Sequence, residues 1–150
     1  MSLRVTNRSA PTSPVVPVLV YEDAGQALEW LCRVFGFTER LRAANPRGVV
    51  THAQLTAGGG DVMIGGRGGE YRAPEADEIT QFVLVHVDDV DAHYERARQH
   101  GARIVNPPAE MPFGERQYTV HDIGGHRWTF SQSVADVAPE AWGGRTAQPV

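Results

Sequence analysis

Residues 113–130 read FGERQYTVHDIGGHRWTF, and this stretch carries the clearest signal of the fold. Polar and apolar residues alternate before and after the turn sequence DIGGH, as in two β-strands joined by a short connection. His121 and His126 flank the two glycines, so they are candidates for metal ligands, catalytic groups or parts of a turn. Which of these applies depends on how the rest of the chain repeats the pattern.

The chain contains an internal repeat with a shift of 65 residues. The residues that coincide belong mainly to caps and turns, which restrict the architecture more tightly than core residues do. The coinciding pairs are Leu19-Val20 with Leu84-Val85, Asp23 with Asp88, Ala27 with Ala92, Arg33 with Arg98, Gly36 with Gly101, and Gly59-Gly60 with Gly124-Gly125. We interpret the chain as two copies of one module, residues 13–66 and 79–132, which together form one domain.

Each module is predicted to contain one strand, one helix and three further strands. In the first module the apolar run at 14–21 predicts a strand, and Asp23 and Gly36 are the expected cap residues of a helix. The second module repeats this order with a strand at 80–87 and a helix at 88–101. The remaining predicted strands are 37–44, 48–56, 61–65, 102–106, 115–122 and 126–132. The predicted fold class is therefore α+β, with two tandem βαβββ modules.

Three segments lie outside these modules. Residues 1–12 are polar and contain Pro and Ser, so we expect them to be disordered and to have no role in the fold. Residues 67–78 are rich in Gly and charge, which is typical of a linker. Residues 133–150 are predicted to form a surface extension, in which Trp142 docks on the body of the protein or on a partner chain.

The composition excludes several classes of protein. No apolar run approaches the roughly 20 residues that a membrane span requires, so we expect no membrane association. The single cysteine, Cys32, rules out a disulfide framework and favours a cytoplasmic location. All 14 basic residues are Arg, and no stretch of the sequence forms a basic stripe. We therefore expect neither lysine-based catalysis nor nucleic-acid binding.

The two modules together resemble the glyoxalase/bleomycin resistance protein/dioxygenase (vicinal oxygen chelate) superfamily. The resemblance covers residues 14–132 and rests on VYEDAGQALEWLCRVFGF, VHVDDVDAHYERARQHGARIV and the closing FGERQYTVHDIGGHRWTF. The closing motif and THAQL are most similar to the small bacterial glyoxalase-like, PhnB-like subgroup. One departure is Ile123-Gly124 where the family usually has Pro and a variable residue before the glycine. The resemblance implies mixed sheets curled into cups, helices outside, a homodimer and, in many members, a divalent metal.

The resemblance also implies where metal ligands would lie. The first-strand ligand of the family precedes the helix-capping Asp by seven residues, which gives Val16 and either Phe82 or Gln81, depending on whether Asp89 or Asp88 is the cap. The last-strand ligand follows the turn glycine by four residues, which gives Ile64 and Thr129. Apolar side chains cannot bind a metal, and Thr is a poor ligand. We therefore predict no metal and no cofactor, with a divalent metal held by His52 and His86 as the alternative.

Strand alternation assigns side chains to the cup face, meaning the face of each sheet that points away from its helix. Apolar residues at alternate positions are expected to pack under the helices, which turns the intervening polar residues to the cup face. The residues predicted to face the cup and to bind a small molecule are His52, Gln54, His86, Gln117, Thr119 and Arg127. Among them His52 is the candidate acid or base, because imidazole titrates near neutral pH.

Three functions are compatible with this pattern. The first is a metal-independent protein that binds a small molecule in order to sequester or sense it. The second is an enzyme of the superfamily, such as a lyase, isomerase or dioxygenase, with His52 as acid/base or with a rearranged metal site. The third is a protein-binding module that uses its sheet edges and the Trp142 tail.

Overall fold

The computed structural model describes residues 5–147. The chain divides into two compact units that meet between Ala73 and Pro74. Each unit contains one α-helix and one four-stranded mixed sheet. This confirms the predicted α+β class with two tandem βαβββ modules. No helix of the described residues is long and apolar enough to cross a membrane.

The first unit contains a sheet in the order β1-β4-β3-β2. Strands β1 and β4 are parallel, and the other neighbouring pairs are antiparallel. Its elements are β1 (Val18–Val20), α1 (Ala24–Phe35), β2 (Thr38–Ala44), β3 (Val50–Ala57) and β4 (Gly60–Gly65).

The second unit repeats this topology, with a sheet in the order β5-β8-β7-β6 and a parallel β5–β8 pair. Its elements are β5 (Val83–His86), α2 (Val90–Gln99), β6 (Arg103–Glu110), β7 (Glu115–His121), β8 (Arg127–Ser133) and a 3₁₀ turn (Pro139–Trp142).

Helix α1 begins and ends where the sequence predicts. The Asp23 carboxylate accepts a hydrogen bond from the backbone N–H of Gln26 at 3.0 Å, which satisfies one free donor of the first turn. Gly36 ends the helix with φ +73°, a left-handed conformation that a residue without Cβ adopts at little cost. The buried stripe of the helix is Ala24, Ala27, Leu28, Trp30, Leu31, Val34 and Phe35.

Helix α2 is capped by Asp89 and not by Asp88. The Asp89 carboxylate accepts a hydrogen bond from the backbone N–H of Ala92 at 3.0 Å. The match of Asp23 with Asp88 is therefore wrong, because the cap lies one residue further along the chain. Within its own span α2 buries only Val90 and Ala97.

A second change of register separates the last hairpins of the two units. Ala53 pairs with Ile64, whereas its counterpart Tyr118 pairs with Phe130. The turn between β7 and β8 thus carries one more residue than the shift of 65 allows. Because directly paired residues share a face, Ile64 corresponds to Phe130 and both lie under the helices. The prediction that Ile64 occupies a ligand position is wrong, and Met63, which pairs with Gln54, faces the cup instead.

Strand β6 is longer than the predicted 102–106 and runs through Pro107 and Pro108 to Glu110. It lies at the edge of its sheet, where a proline that lacks an N–H disrupts no ladder on the open side. The pairing with β7 is irregular between Ile104 and Asn106 and again between Asn106 and Ala109.

The tail packs on its own unit. The rings of Phe113 and Trp142 lie with their centroids 5.6 Å apart, and the N–H of Val134 donates to the Gly114 carbonyl at 2.8 Å. A Cβ at Gly114 would come within 2.4 Å of the Ala135 carbonyl oxygen, so only glycine fits this crossing.

Candidate ligand-binding faces of the two sheets

The cup face of the first sheet carries His52 and Gln54, which project from β3 on the side away from α1. Their neighbours Ala53 and Leu55 are fully buried toward the helix. Gln54 is only 2% exposed although it lies on the cup face. Something other than the helix therefore covers it.

The cover is the N-terminal segment, residues 7–13. The Gln54 amide nitrogen donates to the carbonyl of Ser9 at 3.0 Å. At the other end of the segment, the N–H and hydroxyl of Ser13 both donate to the Asp61 carboxylate, at 3.2 and 2.6 Å. A segment that we expected to have no role in the fold thus lies against the first sheet; residues 1–4 of the predicted disordered stretch fall outside the described residues.

Arg40 fastens the same segment from β2. One guanidinium nitrogen donates to the Gln54 side-chain oxygen, and another donates to the carbonyls of Arg8 and Ala10 at 2.8 and 3.0 Å. The contacts of its oxygen and nitrogen fix the orientation of the Gln54 amide, because the oxygen can only accept and the nitrogen can only donate. The polar residues of this cup face are therefore engaged within the chain.

His52 is restrained by this network. The Gln54 amide nitrogen lies 3.0 Å from His52 Nε2, and since the amide donates, Nε2 must accept. In the neutral ring the proton then sits on Nδ1, and the Nε2 lone pair is occupied. His52 on its own does not present a free base.

The cup face of the second sheet carries a ladder of polar side chains on β7 and β8. Gln117 donates to the Ser131 hydroxyl at 3.1 Å, and the hydroxyls of Thr119 and Thr129 lie 2.9 Å apart. Thr129 and Ser131 are buried. These pairs hold each other in place, which prepares a rigid polar surface.

Glu115 begins this ladder. Its carboxylate accepts hydrogen bonds from the Ser131 hydroxyl at 2.8 Å and from the Ser133 hydroxyl. The Ser133 hydrogen bond, the Ser131 hydrogen bond and the nearby His86 hold the pKa of Glu115 below its usual value, although burial opposes them. His86 Nδ1 lies 3.5 Å from Glu115, and the His86 side chain is 71% exposed.

Arg127 and His121 form a pair at the opposite end of the ladder. An Arg127 terminal nitrogen lies 3.2 Å from His121 Nε2, and because guanidinium can only donate, Nε2 accepts and His121 carries its proton on Nδ1. His121 is 4% exposed, so it is not the rim residue that a hydrated histidine would be. Burial, followed by the charges of Arg127 and Arg103, lowers the pKa of His121, while the backbone of Gly125 acts in the opposite direction.

The turn between these strands is organised by Asp122. One carboxylate oxygen accepts from the backbone N–H groups of Gly124 and His126, each at 2.9 Å, and the other accepts from the Trp128 indole at 2.9 Å. His126 contributes to the turn through its backbone, since its carbonyl also accepts from the Asp122 N–H at 2.8 Å. The DIGGH sequence is therefore a structural turn.

The donor set at the four ligand positions does not suit a divalent metal. With Asp89 as the cap, the first-strand positions are Val16 and Phe82. The hairpin register puts Met63 and Thr129 at the last-strand positions. A thioether, a hydroxyl and two hydrocarbons do not hold a hard or borderline cation. Within residues 5–147 no three side chains of the types His, Cys, Asp and Glu gather closely enough to bind a metal.

The alternative pair does not lie in one unit: His52 belongs to the first unit and His86 to the second. Each has a polar neighbour of its own, which is Gln54 for His52 and Glu115 for His86.

Sequence comparison identifies a family. Residues 14–130 match the sequence profile described as the Glyoxalase/Bleomycin resistance protein/Dioxygenase superfamily. An uncharacterised protein of Mycobacterium tuberculosis is 34% identical over 128 residues, which cover 81% of this chain and 75% of that protein. An uncharacterised protein of Mycobacterium bovis has the same identity and covers 84% of its own length.

Solved structures agree. The crystal structure of TioX from Micromonospora sp. ML1 is 41% identical, with a TM-score of 0.69, and the match covers 81% of this chain and 99% of TioX. A glyoxalase/bleomycin resistance protein/dioxygenase from Nocardioides is 19% identical with a TM-score of 0.58, and the match covers 94% of this chain and 91% of that one. The second likeness concerns the fold alone.

Proposed function

Because the chain belongs to the glyoxalase/bleomycin resistance protein/dioxygenase superfamily, we propose that it is a metal-independent small-molecule-binding protein that sequesters or senses its ligand. The observation that carries this proposal is the chemistry of the four positions at which relatives would bind a metal. In this chain they hold Val16, Met63, Phe82 and Thr129. The fold is kept while the residues that metal-dependent chemistry requires are missing.

The second sheet supplies the better binding face. Gln117, Thr119 and Arg127, all predicted from the sequence to bind ligand, lie there with His86, and the hydroxyl and amide contacts among neighbouring strands fix the orientation of the ladder. Preorganised polar groups beside apolar ones are typical of small-molecule sites. The first sheet contributes less, because Gln54 already binds the N-terminal segment.

The enzymatic alternative has less support. An acid/base role for His52 requires a nitrogen free to exchange a proton with substrate, and Nε2 is taken by the Gln54 amide. Membership of the PhnB-like subgroup, a cytoplasmic location and a homodimer remain parts of the proposal. Light scattering of the purified chain measures the last of these.

The first experiment is elemental analysis of protein purified without chelator. It is repeated after incubation with zinc, nickel, manganese and iron(II) and removal of free ions. We expect no metal near one equivalent per chain in any sample, because no set of suitable donors exists at the family positions. One tightly held equivalent, lost in the double variant His52→Ala/His86→Ala, would overturn the proposal in favour of a rearranged metal site.

A further inference from the structure

We propose that the second sheet carries a subsite for an organic carboxylate, formed by Arg127 and His121 with Arg103 at its edge. This proposal rests on the proposed small-molecule-binding function and adds the chemical class of the ligand. It uses residues at the β7–β8 turn end of the cup face, away from Glu115.

Two buried N–H donors at this place have no acceptor within the described residues. They are His121 Nδ1 and Arg127 Nε. The contact between Arg127 and His121 Nε2 leaves the proton of the neutral imidazole on Nδ1, so both orphaned atoms are donors. A buried donor without an acceptor is costly, and the arrangement therefore calls for an acceptor from outside the chain.

The charge at this place is positive and uncompensated. Arg127 has no carboxylate partner in the part of the chain that the structure describes, and Arg103 stands opposite His121 in the β6–β7 pair. The acidic group near them is Asp77, which lies 3.5 Å from Arg103 in an exposed ion pair. Exposed pairs are weak, so an incoming anion displaces the Arg103–Asp77 contact at little cost.

The shape of the donor set selects the acceptor. Two N–H groups on adjacent strands match the two oxygens of one carboxylate, and guanidinium binds such oxyanions well. Leu84 lies beside Thr129 in the β5–β8 pair and is 42% exposed, and Phe82, two residues earlier, is 56% exposed. These apolar side chains suit the hydrocarbon body of an organic anion better than an inorganic ion. Glu115 at the far end of the ladder disfavours a second negative charge.

The test is a titration of the full chain followed by the Nε–H signals of arginine in ¹H–¹⁵N spectra. The probes are sodium benzoate and benzyl alcohol, which share a ring and differ in charge, and sodium sulfate as the inorganic anion. The spectrum of Arg127→Gln identifies the Arg127 signal. We expect benzoate to shift that signal to saturation, with affinity about tenfold or more above those of benzyl alcohol and sulfate.

Two variants and one control sharpen the result. Arg127→Gln should abolish benzoate binding, and Arg103→Gln should weaken it about threefold to tenfold, since an exposed charge contributes less. The control is Arg116→Gln, which removes the same charge from β7 but on the helix side, where Arg116 pairs with Asp91 at 3.0 Å. It should leave benzoate binding unchanged. Should Arg127→Gln fail to fold, the wild-type titration and Arg103→Gln decide the question.

Three outcomes would overturn the subsite. They are the absence of any benzoate shift at Arg127, equal affinity for benzoate and benzyl alcohol, and equal loss of binding in Arg116→Gln and Arg103→Gln. Benzyl alcohol that binds as well as benzoate and shifts Gln117 would refute the carboxylate preference while leaving the small-molecule-binding function intact. A tightly held metal in the elemental analysis would instead refute that function.

Discussion

At the scale of single residues, Asp122 explains the turn from which the fold can be recognised. Its carboxylate holds two backbone N–H groups and the Trp128 indole, so the hairpin keeps its geometry without the proline that relatives have. The sequence marks the turn through Gly124 and Gly125, but it does not show that Asp122, and neither histidine, organises it. That role depends on Trp128 reaching back across the hairpin, which no local pattern encodes.

Replacing Asp122 should destabilise the fold. We expect Asp122→Ala to lower the free energy of unfolding by about 3 kcal/mol, because three donors, one of them on a buried indole, lose a charged acceptor. Urea unfolding followed by tryptophan fluorescence measures the change. The matched control is Asp136→Ala in the exposed tail, and a similar loss in both variants would contradict the role of Asp122.

Glu115 should make stability depend on pH. The pKa of its carboxyl is lowered in the folded protein, chiefly by the Ser133 hydrogen bond, so its contribution is present at neutral pH and is lost as the pH falls through the acidic range. We expect Glu115→Gln to be less stable than wild type at about pH 7, with a gap that narrows toward about pH 3. Urea unfolding at a series of pH values measures both curves. A gap that stays constant with pH, or one equally present in Glu70→Gln, would be inconsistent with this assignment.

At the scale of elements, the least predictable one is the N-terminal segment. Its polar, Pro-containing sequence indicates disorder, yet Arg40 and Gln54, which lie more than 30 residues away along the chain, bind its backbone. Backbone carbonyls carry no sequence signature, so such a contact leaves no trace in residue patterns. The consequence is that the first cup face is occupied by the chain itself.

Loss of Arg40 should release this segment. We expect Arg40→Ala to increase the rate of tryptic cleavage after Arg8 by about threefold to tenfold, because the Arg8 carbonyl loses its donor and the local structure opens more often. Mass spectrometry follows the cleavage, with cleavage after Arg145 in the tail as an internal reference. Arg47→Ala, in the exposed turn before β3, is the control and should not change the rate.

Strand alternation predicts most of the second cup face and misses part of it. Period two is local, so Gln117 and Thr119 could be assigned from Tyr118 and Val120 between them. Glu115 lies on the same face two residues earlier, but the sequence PFGER favours a loop there. The buried state of His121 also escapes prediction, because it depends on the strands that pair on either side of it.

At the scale of the whole molecule, the repeat predicts the architecture but not its register. Asp88-Asp89 and Gly124-Gly125 are each pairs of identical residues, so shifts of 65 and 66 residues match them equally well. The structure uses 66 for the helix cap and the last strand, and 65 for the strand before it. This single residue decides whether Ile64 or Met63 faces the cup. Two copies of one unit have thus diverged, one closed by its own chain and one presenting a polar ladder.

The prolines of β6 have a consequence for how copies of this chain can meet. An open sheet edge invites a strand from another molecule, because its unpaired N–H and carbonyl groups form a template for continued pairing and eventually for aggregation. Pro107 and Pro108 remove two N–H groups from that edge, and the irregular pairing beside them bends what remains. Extension of the second sheet across β6 is therefore blocked, and any dimer must be joined through another surface.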